Sequence, residues 1–399
     1  MKKSLKAVIV AALTTAVAVG ALSALLIPGL DRLDYRHTNS QYPEVFRGNV
    51  ADGALVTDIA MLAAHDAFSS GIARNSPPNK HDPSHIVNQL GALTDWGATN
   101  VIAGGFIERV SVAQTTGALD LAYSGVRYFD VRATYIDGEW YACHGLLSLP
   151  LREYIDDLIL FLSERQGEFI VLEFRHVYYS SGAEELALLL NDIFFDAECN
   201  GETLIDYVRY DVSSTPLSEL TYGDVTLGGA KSGAVVIFPE SSQAAIAACG
   251  GRAVSAAYGC PGDADPLEKR DGELDESLPP VSYTVCYGYW HNRASSRAVI
   301  EGIRSETKKI NADKEKYRGV FRINQAQQTP VFLLDELLPS LFGWSLIGMA
   351  ETHNADLAAS PDFDEWLSAM PVIQVDFVRA DNGFLEKAMQ SIRAYNAAL

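Results

Sequence analysis

The chain predicts an α/β protein built as a single (β/α)8 barrel of the TIM type. Two observations predict it: eight short, β-rich apolar runs recur along the sequence, and longer stretches of helical periodicity lie between many of them. A third supports it, because no internal repeat of fixed period is present and the chain therefore does not read as a solenoid or propeller. The strand candidates in order are Ile59–Ala64, Val126–Arg132, Trp140–Cys143, Phe169–Phe174, Ala234–Phe238, Tyr283–Tyr287, Val320–Ile323 and Val372–Phe377. Helices are expected over Val112–Tyr123, Leu151–Arg165, Ala183–Phe194, Ser295–Ile310 and Phe384–Tyr395. Pro150 is pre-set for a first helical turn, and Gly125 is placed to stop the helix before it. The segment 241–280, rich in Gly, Ala, Asp and Glu with few aliphatics, breaks the rhythm and reads as a surface insertion in a barrel spanning 54–399.

The first thirty residues read as a targeting segment, followed by a linker over 31–53. Lys2, Lys3 and Lys6 precede an uncharged run from Ala7 to Leu30. That run is longer than the ~7–15 apolar residues of a secretory signal and exceeds the ~20 needed to cross a bilayer. Ala16-Val17-Ala18 offers a cleavage pattern, so a signal peptide and an uncleaved anchor both fit, and either places the barrel outside the cytoplasm, secreted or membrane-anchored. Five cysteines lie in the exported part, and Cys249 and Cys260, flanking a Gly-rich loop, are the candidate disulfide. The net charge of −20 repels polyanions, which argues against nucleic-acid binding and against docking to anionic lipid through a basic patch. No G-x-S-x-G elbow, H-E-x-x-H helix, Walker loop or G-x-G-x-x-G turn is present.

In such a barrel the C-terminal ends of the strands carry the chemistry. Here the first candidate strand runs into His65-Asp66, the second into Asp130-Val131-Arg132, the third into Cys143-His144-Gly145, the fourth into Glu173-Phe174-Arg175-His176 and the last into Asp376. Asp130 and Arg132 are two apart and share a strand face, so neighbouring strands would bring that face beside both histidines.

These residues carry a resemblance. His65-Asp66, the run Gly125-Val126-Arg127-Tyr128-Phe129-Asp130-Val131-Arg132, His144-Gly145 and the late Asp376 resemble the X-domain of phosphatidylinositol-specific phospholipase C in its bacterial, metal-independent form. The later run Asn324-Gln325-Ala326-Gln327-Gln328-Thr329-Pro330 is similar to a segment of lipase-like relatives of this barrel. The resemblance implies that His65 is a general base, that His144 is a general acid, and that Arg132 holds the phosphate. It implies further that Asp66 and Asp376 orient the imidazoles, and that the substrate is a phospholipid or another phosphodiester.

Chemistry gives a separate reason for the same set. Phosphodiester cleavage needs a base for the attacking oxygen, an acid for the departing one and a fixed cation where charge gathers. Paired imidazoles serve both proton transfers, and a guanidinium meets two phosphate oxygens without deprotonating. Calcium-dependent relatives carry two acidic residues where this chain has Asp130 and Arg132, so no metal and no other cofactor is expected. Asp130, Glu173, Arg175, Tyr289 and Trp290 are the candidate substrate-binding residues; Arg175 and His176 alternate, so one of them should reach the mouth. Arg127, Tyr287 and the remaining histidines read as structural, with His37, His81, His85, His291 and His353 on the surface or at helix caps. The resemblance implies a basic residue on the fifth strand for contact with the inositol ring; here that strand, Ala234–Phe238, carries no charge and Lys231 precedes it, so inositol selectivity is not inscribed there. Two other readings stay open: a metal-dependent, glycerophosphodiesterase-like enzyme, and a non-catalytic barrel acting as a binding module.

Overall fold

In the computed structural model the described residues are 36–82, 105, 107–179, 188–189, 191–210, 217–239, 254–259, 283–330 and 345–399. The expected targeting segment and the pair Cys249 and Cys260 lie outside them. Among the described residues no helix is long and apolar enough to cross a membrane, and Cys143, Cys199 and Cys286 are unpaired.

The strands are β1 (Met61–Ala64), β2 (Val126–Ile136), β3 (Glu139–His144), β4 (Leu146–Pro150), β5 (Phe169–Tyr178), β6 (Gly233–Pro239), β7 (Val254–Gly259), β8 (Tyr283–Gly288), β9 (Phe321–Gln325) and β10 (Val372–Val375). They form one curled, TIM-like sheet in the order β1-β10-β9-β8-β7-β6-β5-β2-β3-β4, and β1 pairs with β2 as well as with β10. All pairings are parallel except β2 with β3 and β3 with β4. The helices that position the site are α1 (Ala118–Tyr123), α2 (Leu151–Glu164), α3 (Ser296–Ala312), α4 (Leu346–Ala359), α5 (Phe363–Ala369) and α6 (Phe384–Asn396).

Two expectations are corrected here. The run Trp140–Cys143 is a strand, but it returns antiparallel on β2 through the turn at Asp137-Gly138, so it belongs to a hairpin and not to the parallel set. Its place is taken by β7, which lies inside the segment read as a surface insertion and pairs in parallel with β6 and β8. Val254-Ser-Ala-Ala-Tyr-Gly259 has two alanines, a serine and a glycine in six positions, and this small-residue composition hid it. The expected helix at Ala183–Phe194 falls largely outside the described residues, while α4 and α5 were not anticipated.

Alternation along β2 divides the layers. The Tyr128 ring meets Phe321 of β9 at 6.0 Å, which places both inside the curled sheet. Phe129 faces the other way and packs through Phe68 onto Tyr154 of α2, whose rings stack at 4.6 Å. The buried stripe of α2 is Leu151, Tyr154, Ile155, Leu158, Ile159, Phe161 and Leu162, a helical spacing that follows Pro150 at the cap. Arg127 is structural, as its position on the N-terminal half of β2 suggests. Fully buried, it pairs with Glu168 at 2.8 Å and donates to the carbonyls of Ala122, Val126 and Pro43. Tyr287 is likewise a core residue, its hydroxyl held by Glu306 and Lys309. The reading of His291 and His353 as surface residues is overturned, for they are 9% and 1% exposed. The imidazole of His353 donates through Nε2 to the Ala326 carbonyl at 2.5 Å, locking α4 onto the loop after β9.

Candidate active site

Side chains from four strands, β1, β2, β3 and β10, converge around Asp66. This residue follows β1 with φ 42°, a left-handed turn that aims its carboxylate back across the mouth. Asp66 Oδ1 receives the Arg132 guanidinium, and Oδ2 lies 3.2 Å from His144 Nδ1 and 3.4 Å from His65 Nε2. Asp376, just beyond β10, accepts from His65 Nδ1 at 2.7 Å. Arg132 Nη2 is 3.4 Å from His65 Nε2, and the two imidazole rings stand 6.3 Å apart at 75°. His65, Asp66, Arg132, His144 and Asp376 therefore share one small volume, although 311 residues separate His65 from Asp376.

Neighbours that left no mark on the sequence fix the tautomers. His144 Nδ1 faces two acceptors, Asp66 and the Ser111 carbonyl at 2.8 Å, so it carries a proton and turns Nε2 outward. Gln114 donates to the His65 and Val375 carbonyls at 3.1 and 3.0 Å and accepts from the Val378 amide, stapling the ends of β1 and β10. Asn354 of α4 donates to the Asp376 carbonyl at 2.9 Å. Such side chains satisfy backbone groups, and no motif announces them.

The charges follow from this geometry. Burial works against a charged imidazole at His65, but Asp66, Asp376 and Asp130 overcome it and raise its pKa to about 9. Burial also opposes the Asp66 carboxylate, yet Arg132, then His144 and His65, hold it ionised well below the usual range. Asp376 is pushed upward by burial, and His65 pulls it back. His65, Asp66 and Asp130 each bring one ligand atom within 4.8 Å of the others, a group that could hold a cation. Arg132 already lies against Asp66 there, and its fixed charge competes with an ion for the same carboxylate.

The expected substrate-binding residues divide. Asp130 is buried at the floor, accepting from Gln374 at 2.7 Å with its Oδ2 3.9 Å from His65. Glu173 is level with it on β5 and fully buried, where its charge pushes the Cys286 thiol upward after the larger effect of burial. Of the alternating pair Arg175 and His176, both come near Arg132. A bulge between Val131 and Arg132 makes His176, exposed at the rim, the Cα partner of Arg132. Arg175 is partly buried, and its positive charge still reaches both. Beyond β8, Tyr289 leans on His291 with ring centroids 5.1 Å apart, and Trp290 is 48% exposed with its indole donating to Thr329.

No protein-family profile matches the chain. The chain is 27% identical over 177 residues to PI-PLC X domain-containing protein 3 of Danio rerio, which is 43% of this chain and 52% of that protein. It is 28% identical over 134 residues to the variant-surface-glycoprotein phospholipase C of Trypanosoma cruzi, 32% of this chain and 34% of that one. The chain thus spans about half or less of the curated relatives it matches. In three dimensions it superposes on the phosphatidylinositol-specific phospholipase C of Staphylococcus aureus with a TM-score of 0.52 and 16% identity, over 88% of this chain and 97% of that one. This likeness extends to the whole mixed α/β, TIM-like fold. The chain resembles the PI-PLC X-domain family, in sequence to its curated members and in fold to a bacterial phosphatidylinositol-specific phospholipase C.

Proposed function

We propose that the protein is an exported phosphodiesterase of the phospholipase C type, acting on a phospholipid or related headgroup from the mouth of a (β/α)8 barrel. One observation carries the reading: a single ionised carboxylate, Asp66, touches Arg132, His144 and His65 together. That arrangement supports a division of labour. His65 accepts the proton of a substrate hydroxyl as its oxygen bonds to phosphorus. His144 gives its Nε2 proton to the oxygen whose bond to phosphorus breaks, and Arg132 holds the phosphoryl oxygens. When the hydroxyl neighbours the phosphate within the substrate, the first product is a cyclic phosphate, which water opens later. The uncharged run Ala7–Leu30 supports export, as signal or anchor.

Phosphorus-31 NMR of reactions with phosphatidylinositol, glycerophosphoinositol and phosphatidylcholine, with and without chelator, tests this. A cyclic phosphate signal indifferent to chelator is expected, and His65→Ala or His144→Ala should cut its rate by about 10²–10⁴-fold. The cluster of His65, Asp66 and Asp130 favours a metal-dependent second reading, for which chelator would abolish turnover. No turnover of any phosphodiester by the parent chain would favour a binding module instead.

A further inference from the structure

The segment that precedes β1 is clamped to the mouth of the barrel. The Arg36 carbonyl accepts from the Asp381 amide at 3.0 Å, His37 bridges antiparallel to Ala380, and the Thr38 amide donates to the Arg379 carbonyl at 2.9 Å. Arg379 Nη2 donates in return to the Thr38 carbonyl at 3.0 Å, and the Thr38 hydroxyl donates to Glu386 of α6 at 3.1 Å. Residues 379–381 lie in the loop that leaves β10, the same loop in which Asp376 orients His65. Further along, the Tyr42 amide donates to the Tyr123 carbonyl at the end of α1. The amides of Val45, Phe46 and Arg47 meet Glu168 just before β5 begins, at the opposite end of the barrel. Residues 36–47 therefore run from rim to base, and followed toward the N-terminus they climb to the rim that holds the site.

The position of this clamp limits where a membrane can lie. Residues 31–35 alone separate Arg36 from the end of the uncharged run Ala7–Leu30. Even fully extended, the chain from Leu30 to Arg36 covers only about 20 Å. An anchor ending at Leu30 thus keeps the rim within that distance of the bilayer, whereas the base stands farther off by the length of α3, whose 17 residues span about 25 Å. The net charge of −20 gives the body no general attraction to anionic lipid, so a covalent tether and not a basic patch supplies residence at the surface. A mouth tethered this way meets the lipids of its own membrane at an effective concentration far above that of any second membrane.

We propose that Ala7–Leu30 is kept as an anchor whose exit beside the β10 loop turns the mouth onto its own bilayer, so that the substrate is a phospholipid of the membrane that holds the chain. This assignment rests on the export and phosphodiesterase readings above. Its test uses the full chain reconstituted in vesicles that contain phosphatidylinositol. A fluorescent amino acid replaces either Arg297, 87% exposed in the first turn of α3 at the mouth, or Glu315, 83% exposed just past the other end of that helix. Energy transfer to acceptor lipids should be severalfold stronger from position 297, and equal transfer, or stronger transfer from 315, overturns the orientation. Inserting about 40 Gly/Ser residues between Asp34 and Tyr35 gives the tether a span of roughly 35 Å and should equalise the two signals. Signals that stay unequal mean that lipid contacts and not the tether turn the mouth, which also overturns the assignment. In kinetics, lipid of the vesicles that carry the protein should be cleaved about tenfold or more faster than the same lipid in added vesicles that lack it. Equal rates, or a mature N-terminus at residue 19 or beyond by mass spectrometry after expression in cells, remove the tether. Free glycerophosphoinositol separates the two readings: its cleavage without preference for the carrier vesicles keeps the reaction and sinks the anchor geometry. The expected energy transfer in a protein that cleaves no phosphodiester does the reverse.

Discussion

Asp66 is the residue on which the mouth is organised, and it succeeds because its backbone is in the left-handed region. A residue continuing β1 would point to the face opposite His65, whereas Asp66, with φ 42°, meets Arg132 of β2 and His144 of β3 together. The accumulation of carboxylates has a cost for the base. With a pKa of about 9, His65 is mostly protonated at pH 7, and only the neutral fraction can accept a proton. The sign follows directly: activity should rise as pH climbs from 7, reach half its plateau near 9 and level off only above that. Asp376→Asn removes one of the charges that raise His65, so the rising limb should move to lower pH. The plateau should drop about 10²-fold or more because the ring loses its orienting partner, as a pH series of kcat/KM would show.

Elements show where the sequence speaks and where it is silent. The strands that line the mouth were legible, since Val126–Arg132 and Phe169–Phe174 are apolar runs interrupted by polar residues at the mouth. The five proposed catalytic residues were legible for the same reason, each standing at or just beyond the end of such a run. β7 was not, because alanine, serine and glycine give neither β-propensity nor hydrophobic contrast. The direction of Trp140–Cys143 was not, because pattern alone does not reveal whether a strand runs parallel or returns. His176 was hidden by the bulge, which shifts register by one residue in a way no periodicity records. Arg127 and Glu168 belong to this scale too. Glu168 Oε1 accepts from the amides of Val45, Phe46 and Arg47, so the pair ties the segment before β1 to β2 and β5. Arg127→Met strands a buried carboxylate and should cost about 3–5 kcal/mol in urea unfolding, while turnover per folded molecule stays unchanged.

At the scale of the molecule, buried histidines set the response to acid. Burial lowers His353 to about 4, and burial together with the charge of His353 lowers His291 to about 4. Their unfolded forms titrate near the ordinary 6.5, so between 6.5 and 4 the unfolded chain binds protons that the native one does not. Stability is therefore full above this window and falls as pH drops through it. His353→Gln should flatten that fall when melting temperature is followed from pH 7 to 4. The same long-range architecture places His65 and Asp376 on adjoining strands at opposite ends of a span of 311 residues. A nascent chain leaving the ribosome can display its first imidazole early, but the Nδ1 side of that ring has no carboxylate until the final strand is synthesised. For the proposed reaction this means that the orienting pair of His65 and Asp376 is completed only when translation is nearly finished.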